Sequence, residues 1–188
     1  MMLAVYLGIA WGRRARRGGR AAVRVGAVGE SVVTIHVGFT GTRHGMTPPQ
    51  QRAVRIVLGL LRQCDELTAH HGDCVGADAE FDAVARDIGA RIIVHPGRSV
   101  RGGEESYRAF CRGDEILTPL GHFARNREIV AESDVMIATP YEATRQERGG
   151  TWYTIDRAER SGKPLAIVLP TRDGVRVAYS GARWPEPP

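Results

Sequence analysis

Three glycine-rich turns carry the residue types that can hold a phosphate: Gly38-Phe39-Thr40-Gly41-Thr42-Arg43, Gly72-Asp73-Cys74-Val75-Gly76-Ala77-Asp78 and Gly149-Gly150-Thr151. Glycine lets backbone N–H groups approach an anion, and a helix that starts there adds its positive end. In the first turn, the hydroxyls of Thr40 and Thr42 and the fork of Arg43 suit phosphate oxygens, with Gly41 giving access. In the second, Asp73 and Asp78 bracket Gly76; carboxylates repel phosphate, so ribose hydroxyls or a base amino group are their natural partners. Asp78 also has a second reading, as a cap of the following helix. The run Arg125-Asn126-Arg127 falls at a helix start, where positive charge opposes the helix dipole unless an anion or a carboxylate answers it. Pairing with Glu128 or Glu132 is the plainer alternative.

Two familiar motifs are excluded. No Lys-Ser/Thr follows the first glycines, so this is not a phosphate loop, and the dinucleotide fingerprint is absent. His70, His71, Asp73 and Cys74 look like metal ligands, but their spacing matches no closed zinc pattern and no second pair accompanies them. No metal is therefore assigned. Cys64, Cys74 and Cys111 are an odd number at irregular spacing, which makes no disulfide framework and favours the cytoplasm.

Elements must bring these turns together. Val32–Phe39 reads as a first strand. Thr47-Pro48 is a helix start, and Val54, Val57, Leu58 and Leu61 form one face to about Cys64. Leu67–His70 is a second strand, and a helix from Ala77 with Phe81, Val84, Ala85 and Ile88 ends at Gly89. Strands follow at Arg91–His95, Val135–Ala138 and Pro164–Leu169, with helices over Phe123–Glu132 and from Gly150 to about Ser161. Residues 96–122 lack a sustained period and read as a lid, a binding loop or a mobile segment. Asp173-Gly174 suggests a terminal hairpin. Strands alternating with helices predict a single Rossmann-like domain, with a doubly wound, mainly parallel five-stranded sheet and helices on both faces. The turns after its strands then meet at the carboxyl edge, where such sheets bind ligands.

Charge is unevenly placed. The chain has 188 residues and a net charge of +5. Residues 1–31 carry six arginines against Glu30 alone, so the rest balances at 20 basic and 20 acidic residues. Residues 1–31 read as a basic, disordered extension, including the alternative that they precede the true start, because Arg/Gly/Ala composition builds no core. A chain starting at Val33 is expected to melt near the full-length temperature. Residues 32–170 form the domain and 171–188 a hairpin and tail. The apolar start Met1–Trp11 is too short to span a bilayer, so no membrane partner is expected.

Taken in order, GFTGTR after a strand, HGDCVGAD, ARNREIV before a strand and GGTWYTIDRA resemble the SLOG superfamily of Rossmann-like proteins over about residues 33–170. That superfamily includes DNA-processing protein A and the lonely-guy-type phosphoribohydrolases. The GDCxGAD and GTWxTI turns are most similar to those of short bacterial and phage members. The resemblance implies a pocket for a nucleotide or a nucleotide derivative such as AMP, ADP-ribose or NAD. It would be built from Gly41, Thr42, Arg43, the Gly72–Asp78 turn, Arg125, Asn126, Gly149, Gly150 and Thr151. The phosphoribohydrolase pattern has a catalytic glutamate after Gly-Thr, at the place of Thr154 here. A sensing or sequestering role is therefore the first expectation. An N-glycosidic hydrolase, using Glu147, Asp73 or Asp78, is the second. Single-stranded DNA binding is the third, disfavoured by a neutral core. The nucleotide is the only ligand expected, no other cofactor is assigned, and a homo-oligomer is compatible with the sequence.

Overall fold

The computed structural model describes residues 24–25, 31–32, 34–98, 107–182 and 184. Most of the basic extension, the glycines and charges of 99–106, and the last residues of the tail therefore lie outside the described residues. Within residues 1–31, Arg24–Val25 (β1) pairs antiparallel with Ser31–Val32 (β2).

The central sheet forms from strands placed by helices that the sequence spells clearly. Thr34–Gly41 (β3) leads to Pro48–Cys64 (α1), whose Thr47 and Gln50 close a capping box with proline in the first turn. Glu66–His71 (β4), Ala77–Asp87 (α2) and Arg91–Val94 (β5) follow. Two short strands, Gly97–Arg98 (β6) and Leu120–Gly121 (β8), pair with each other, while Glu115–Ile116 (β7) joins the main sheet beside β5. His122–Glu132 (α3), Val135–Thr139 (β9), Gly150–Arg160 (α4), Leu165–Thr171 (β10) and Gly174–Ser180 (β11) complete the chain.

The sheet order is β11-β10-β9-β3-β4-β5-β7, parallel except for the β10–β11 hairpin. It is doubly wound as expected, but has seven strands rather than five. The hairpin at Asp173-Gly174 adds β11 to one edge through a register of seven residue pairs, and β7 adds two residues to the other. A two-residue strand has no sequence period, so β7 could not be read in advance.

Alternation along the strands divides the core. Val37, Phe39, Ala69, Ile92 and Ile137 pack with Val54, Leu58 and Phe81 of α1 and α2. Met136, Ala138, Leu165 and Ile167 pack on the other face with Ile129, Trp152 and Ile155 of α3 and α4. Phe39 and Phe81 stack with ring centroids 4.2 Å apart, which fixes the start of α2 against the end of β3. The chain reverses direction between β3 and β9, because the elements after β3 spread to one side and those after β9 to the other. That switch point is where a doubly wound sheet opens a crevice at its carboxyl edge. Among the described residues, no helix is long and apolar enough to cross a membrane.

Candidate ligand site

A cavity of about 530 Å³ occupies that crevice, a volume within the range of small-molecule sites. Its floor is the end of β3. Pairing with β9 continues to Gly41 opposite Thr139, so the strand runs two residues beyond the expected Phe39. Thr40, Gly41, Thr42 and Arg43 all line the cavity. Gly41 is closely packed, since a Cβ there would meet Ala77 and Thr139. The Thr42 carbonyl accepts Ala77 N–H (3.0 Å), tying this turn to α2. Arg43 lies over the Tyr107 ring at 4.0 Å.

The turn after β4 forms the deep wall. Gly72, Cys74 and Asp78 line the cavity, whereas Asp73 and Gly76 do not. Asp73 is fully buried with φ 57°. Its carboxylate accepts from Arg108 Nε (2.8 Å) and Cys111 N–H (2.8 Å), while its carbonyl accepts Ala109 N–H. The second turn thus docks residues 107–111, and that part of the segment expected to be a lid, a binding loop or mobile is a packed wall whose Tyr107 lines the cavity. As a candidate acid, Asp73 is corrected to a buried staple: the left-handed backbone turns its side chain away from the ligand side. Gly76 serves the backbone, with φ 82° and the Arg43 carbonyl where a Cβ would stand. Asp78 accepts Cys74 N–H (3.1 Å) from the turn rather than capping α2, whose start has no side-chain cap, and it faces the cavity.

Arg125 enters from the first turns of α3. Its Nη1 donates to the carbonyls of Gly72 and His95, and its Nη2 reaches Cys74 Sγ at 3.5 Å. None of these acceptors is an acid. Burial pushes the Cys74 thiol up, so that sulfur answers the guanidinium poorly. The residue is 5% exposed and its Nε has no hydrogen-bond partner. Surface pairing with Glu128 or Glu132 is therefore not what holds Arg125. A Cβ on Gly72 would collide with the guanidinium, which explains that glycine.

The opposite wall is the start of α4. Gly149 has φ 121°, and neither it nor Gly150 is crowded: the nearest atom to a Cβ on Gly150 would be Asn126 Nδ2 at 3.9 Å. No side chain caps this helix and no acid stands in its first turn. The Thr151 hydroxyl donates to the Gly41 carbonyl (2.9 Å), which ties the start of α4 to the end of β3. Asn126 donates to Thr154 Oγ1 (2.8 Å), whose hydroxyl in turn donates to the Gly150 carbonyl (2.8 Å). Where phosphoribohydrolases carry a glutamate, this chain holds a buried, hydrogen-bonded threonine.

Glu147 is exposed and does not line the cavity. The acid that does, besides Asp78, is Glu142, which accepts Trp152 Nε1–H at 3.3 Å. Trp152 itself is core, as expected, packed with Ile155. Sequence reasoning also missed Tyr107, His44, Phe123, Tyr141 and Arg148 on the walls. Tyr141 and Glu142 had a signal: they follow β9 directly, and the loop after a switch-point strand must face the crevice. Buried Gln50 of α1 secures that loop by donating to the Pro140 carbonyl (3.0 Å) and, inside the core, to Val168 (2.9 Å). Arg145 pins its far end to Asp156 and Glu159 of α4.

The suspected ligands His70 and His71 have other partners. His36 Nδ1, His70 Nε2 and Nδ1, His95 Nε2 and Nδ1, and Glu128 Oε2 form a chain with steps of 2.8, 2.9 and 3.1 Å. With Glu128 as final acceptor, each imidazole donates from Nδ1, and His70 and His95 accept at Nε2. Burial, with the neighbouring imidazoles, pulls His70 down to about 3, and burial also lowers His95 against the pull of Glu128. His71, Asp82 and Cys111 come within 4.8 Å of one another. However, His71 Nδ1 accepts Asp73 N–H (3.2 Å), which leaves the proton on the Nε2 that faces Asp82. Arg86 occupies both Asp82 oxygens, and burial pushes the Cys111 thiol up to about 12. Metal-bound histidines use their second nitrogen as a donor, so this trio is a hydrogen-bonded core cluster.

No protein-family model matches the chain, and no curated protein matches it by sequence. Solved structures do. A molybdenum cofactor binding protein from Rippkaea orientalis superposes with a TM-score of 0.53 at 21% identity, over 73% of this chain and 78% of that one. DNA processing protein A from Streptococcus pneumoniae gives 0.55 at 20%, over 74% and 52%. Its counterpart from Helicobacter pylori, described for single-stranded DNA binding, gives 0.51 at 17%, over 75% and 68%. The chain shares the Rossmann-like α/β fold of these proteins. The four sequence motifs lie at the end of β3, the β4–α2 turn, the start of α3 and the start of α4. This chain spans about half of the pneumococcal protein.

Proposed function

We propose that this protein binds a nucleotide or nucleotide derivative and senses or sequesters it, without cleaving it. The observation that carries the reading is Arg125, a buried cation with an unpartnered Nε on the wall of a cavity that the uncapped start of α4 also lines. A buried charge left partly unanswered is costly; a phosphate-bearing ligand in the cavity answers it, and the open helix N-terminus favours an anion there as well. Asp78 supplies an acceptor for ribose hydroxyls. Tyr107 and Tyr141 offer flat faces for a base, and Thr40, Gly41, Thr42, Arg43, Asn126, Gly149, Gly150 and Thr151 complete the wall.

A melting screen over nucleotide monophosphates, ADP-ribose and NAD at millimolar concentration tests this, because a ligand of the folded state raises the melting temperature. Gly150→Glu should abolish the shift by setting a carboxylate at the phosphate position. Absence of any shift with every nucleotide removes the reading.

Cleavage of an N-glycosidic bond would need a carboxylate at the base or ribosyl carbon, help worth about 10²–10⁴-fold. Thr154 cannot supply it, and Asp78 and Glu142 are the acids on the wall. Release of free base from AMP above about 1 s⁻¹ would replace the binding reading by the hydrolase reading. Loss of that turnover in Asp78→Asn or Glu142→Gln would then name the acid.

A further inference from the structure

Among the described residues, the four helix starts fall into two kinds. That of α1 is closed by the Thr47–Gln50 capping box. That of α2 carries Asp78 and Glu80 in its first turn, and its Ala77 N–H is taken by Thr42. Those of α3 and α4 have neither a side-chain cap nor an acid in the first turn, and both open on the same cavity. The start of α4 accounts for one anion. The start of α3 lies beside Arg125, 5% exposed, whose Nη1 is held by two carbonyls but whose Nε has no partner and whose Nη2 reaches the Cys74 sulfur, among the described residues.

Resting on the nucleotide reading, we infer that the start of α3, with Arg125 behind it, is a second anion subsite, and that the ligand is of the nucleoside bisphosphate class, with phosphates on separate carbons of the sugar. Spacing selects this class. Asn126 Nδ2 meets the Gly150 carbonyl at 3.4 Å, so α4 begins level with the second turn of α3. An offset of about one turn between axes 8–10 Å apart puts the two positive ends roughly 10 Å from each other. Adjacent phosphates of a diphosphate cannot cover both ends, whereas groups on opposite sides of a ribose can. Asp78, also on the cavity wall, suits the sugar hydroxyl that remains.

Calorimetric titration of the full chain with AMP, ADP and adenosine 3′,5′-bisphosphate tests the inference. The bisphosphate should bind at least tenfold more tightly than AMP, and ADP less than threefold. That advantage should shrink as salt is raised, as an added ionic contact does. Phe123→Asp places a carboxylate in the first turn of α3 at an exposed position, where it favours the helix. It should cut the bisphosphate-to-AMP ratio below threefold, whatever it does to AMP itself. A bisphosphate no tighter than AMP in the wild-type protein overturns the subsite and leaves the nucleotide reading standing. So does an advantage that survives Phe123→Asp. No binding of any of the three overturns both. The salt series on the wild-type chain decides the matter even if the variant fails to fold.

Discussion

The turn after β4 and the turn before α4 resemble each other in sequence, each a glycine pair beside acidic and polar residues, yet they are built for opposite ends. Around Gly72–Asp78 there is no spare room: Gly72 abuts Arg125, Gly76 abuts the Arg43 backbone, and Asp73 is fully buried between Arg108 and Cys111 N–H. Around Gly149-Gly150 a Cβ would meet almost nothing, the helix has no cap, and Glu147 stands in solvent. Glycine in the first turn answers packing. In the second it leaves N–H groups open toward the cavity. A glycine-rich motif therefore identifies a ligand contact only once the space around it is known.

This contrast can be broken most forcefully at Asp73. Removing one partner of a buried, hydrogen-bonded charge pair costs about 3–5 kcal/mol, so Asp73→Ala should unfold in far less urea than wild type. A midpoint close to wild type would mean that residues 107–111 do not depend on this staple. Gly72→Ala should cost less, about 1–3 kcal/mol from forced displacement of Arg125. It should also weaken nucleotide binding, since that guanidinium must move.

The buried histidine chain beneath the site carries a pH signature. His70 titrates near 3 in the fold, below its ordinary 6.5, so protons bind the unfolded chain preferentially between those values. The stability from neutral His70 is complete above about pH 6.5 and is lost as pH falls toward 3. Its slope approaches ~1.4 kcal/mol per pH unit between them. Denaturant titrations from pH 7 to 4 should show this added slope, and His70→Gln should flatten it. An unchanged slope in the variant would place the proton elsewhere in the histidine chain.

At the open turn the effects on stability should be small. Gly150→Ala should stay within about 0.5 kcal/mol of wild type, because the position is helical and roomy. Glu147→Gln should alter stability by no more than about 0.5 kcal/mol and leave nucleotide affinity unchanged. A binding defect in Glu147→Gln would show that the 140–149 loop swings over the ligand and would restore that residue as a candidate acid.

The sequence alone determined the four helices, the five main strands and the edge of the sheet where the glycine turns meet. Those features rest on local rules: a 3.6-residue period at Val54, Val57, Leu58 and Leu61, a cap at Thr47, a hairpin turn at Asp173-Gly174. Tertiary structure decided which way each polar group in the turns points. Asp73 and Asp78 are the same residue type five positions apart, but the left-handed backbone at Asp73 accompanies a carboxylate buried in the protein, while the other lines the cavity. Arg125 and Arg127 are two residues apart on α3; one is buried beneath the cavity and the other bonds Tyr153 on the surface. Glu142, Tyr141 and Tyr107 reach the site only because β9 lies next to β3 and residues 107–111 dock on the β4 turn. Helix and strand propensities act over a few residues and are written in the chain. The direction of a side chain at a tight turn depends on partners 35 to 53 positions away, as Arg108 is from Asp73 and Arg125 from Gly72, and only the packed fold supplies them.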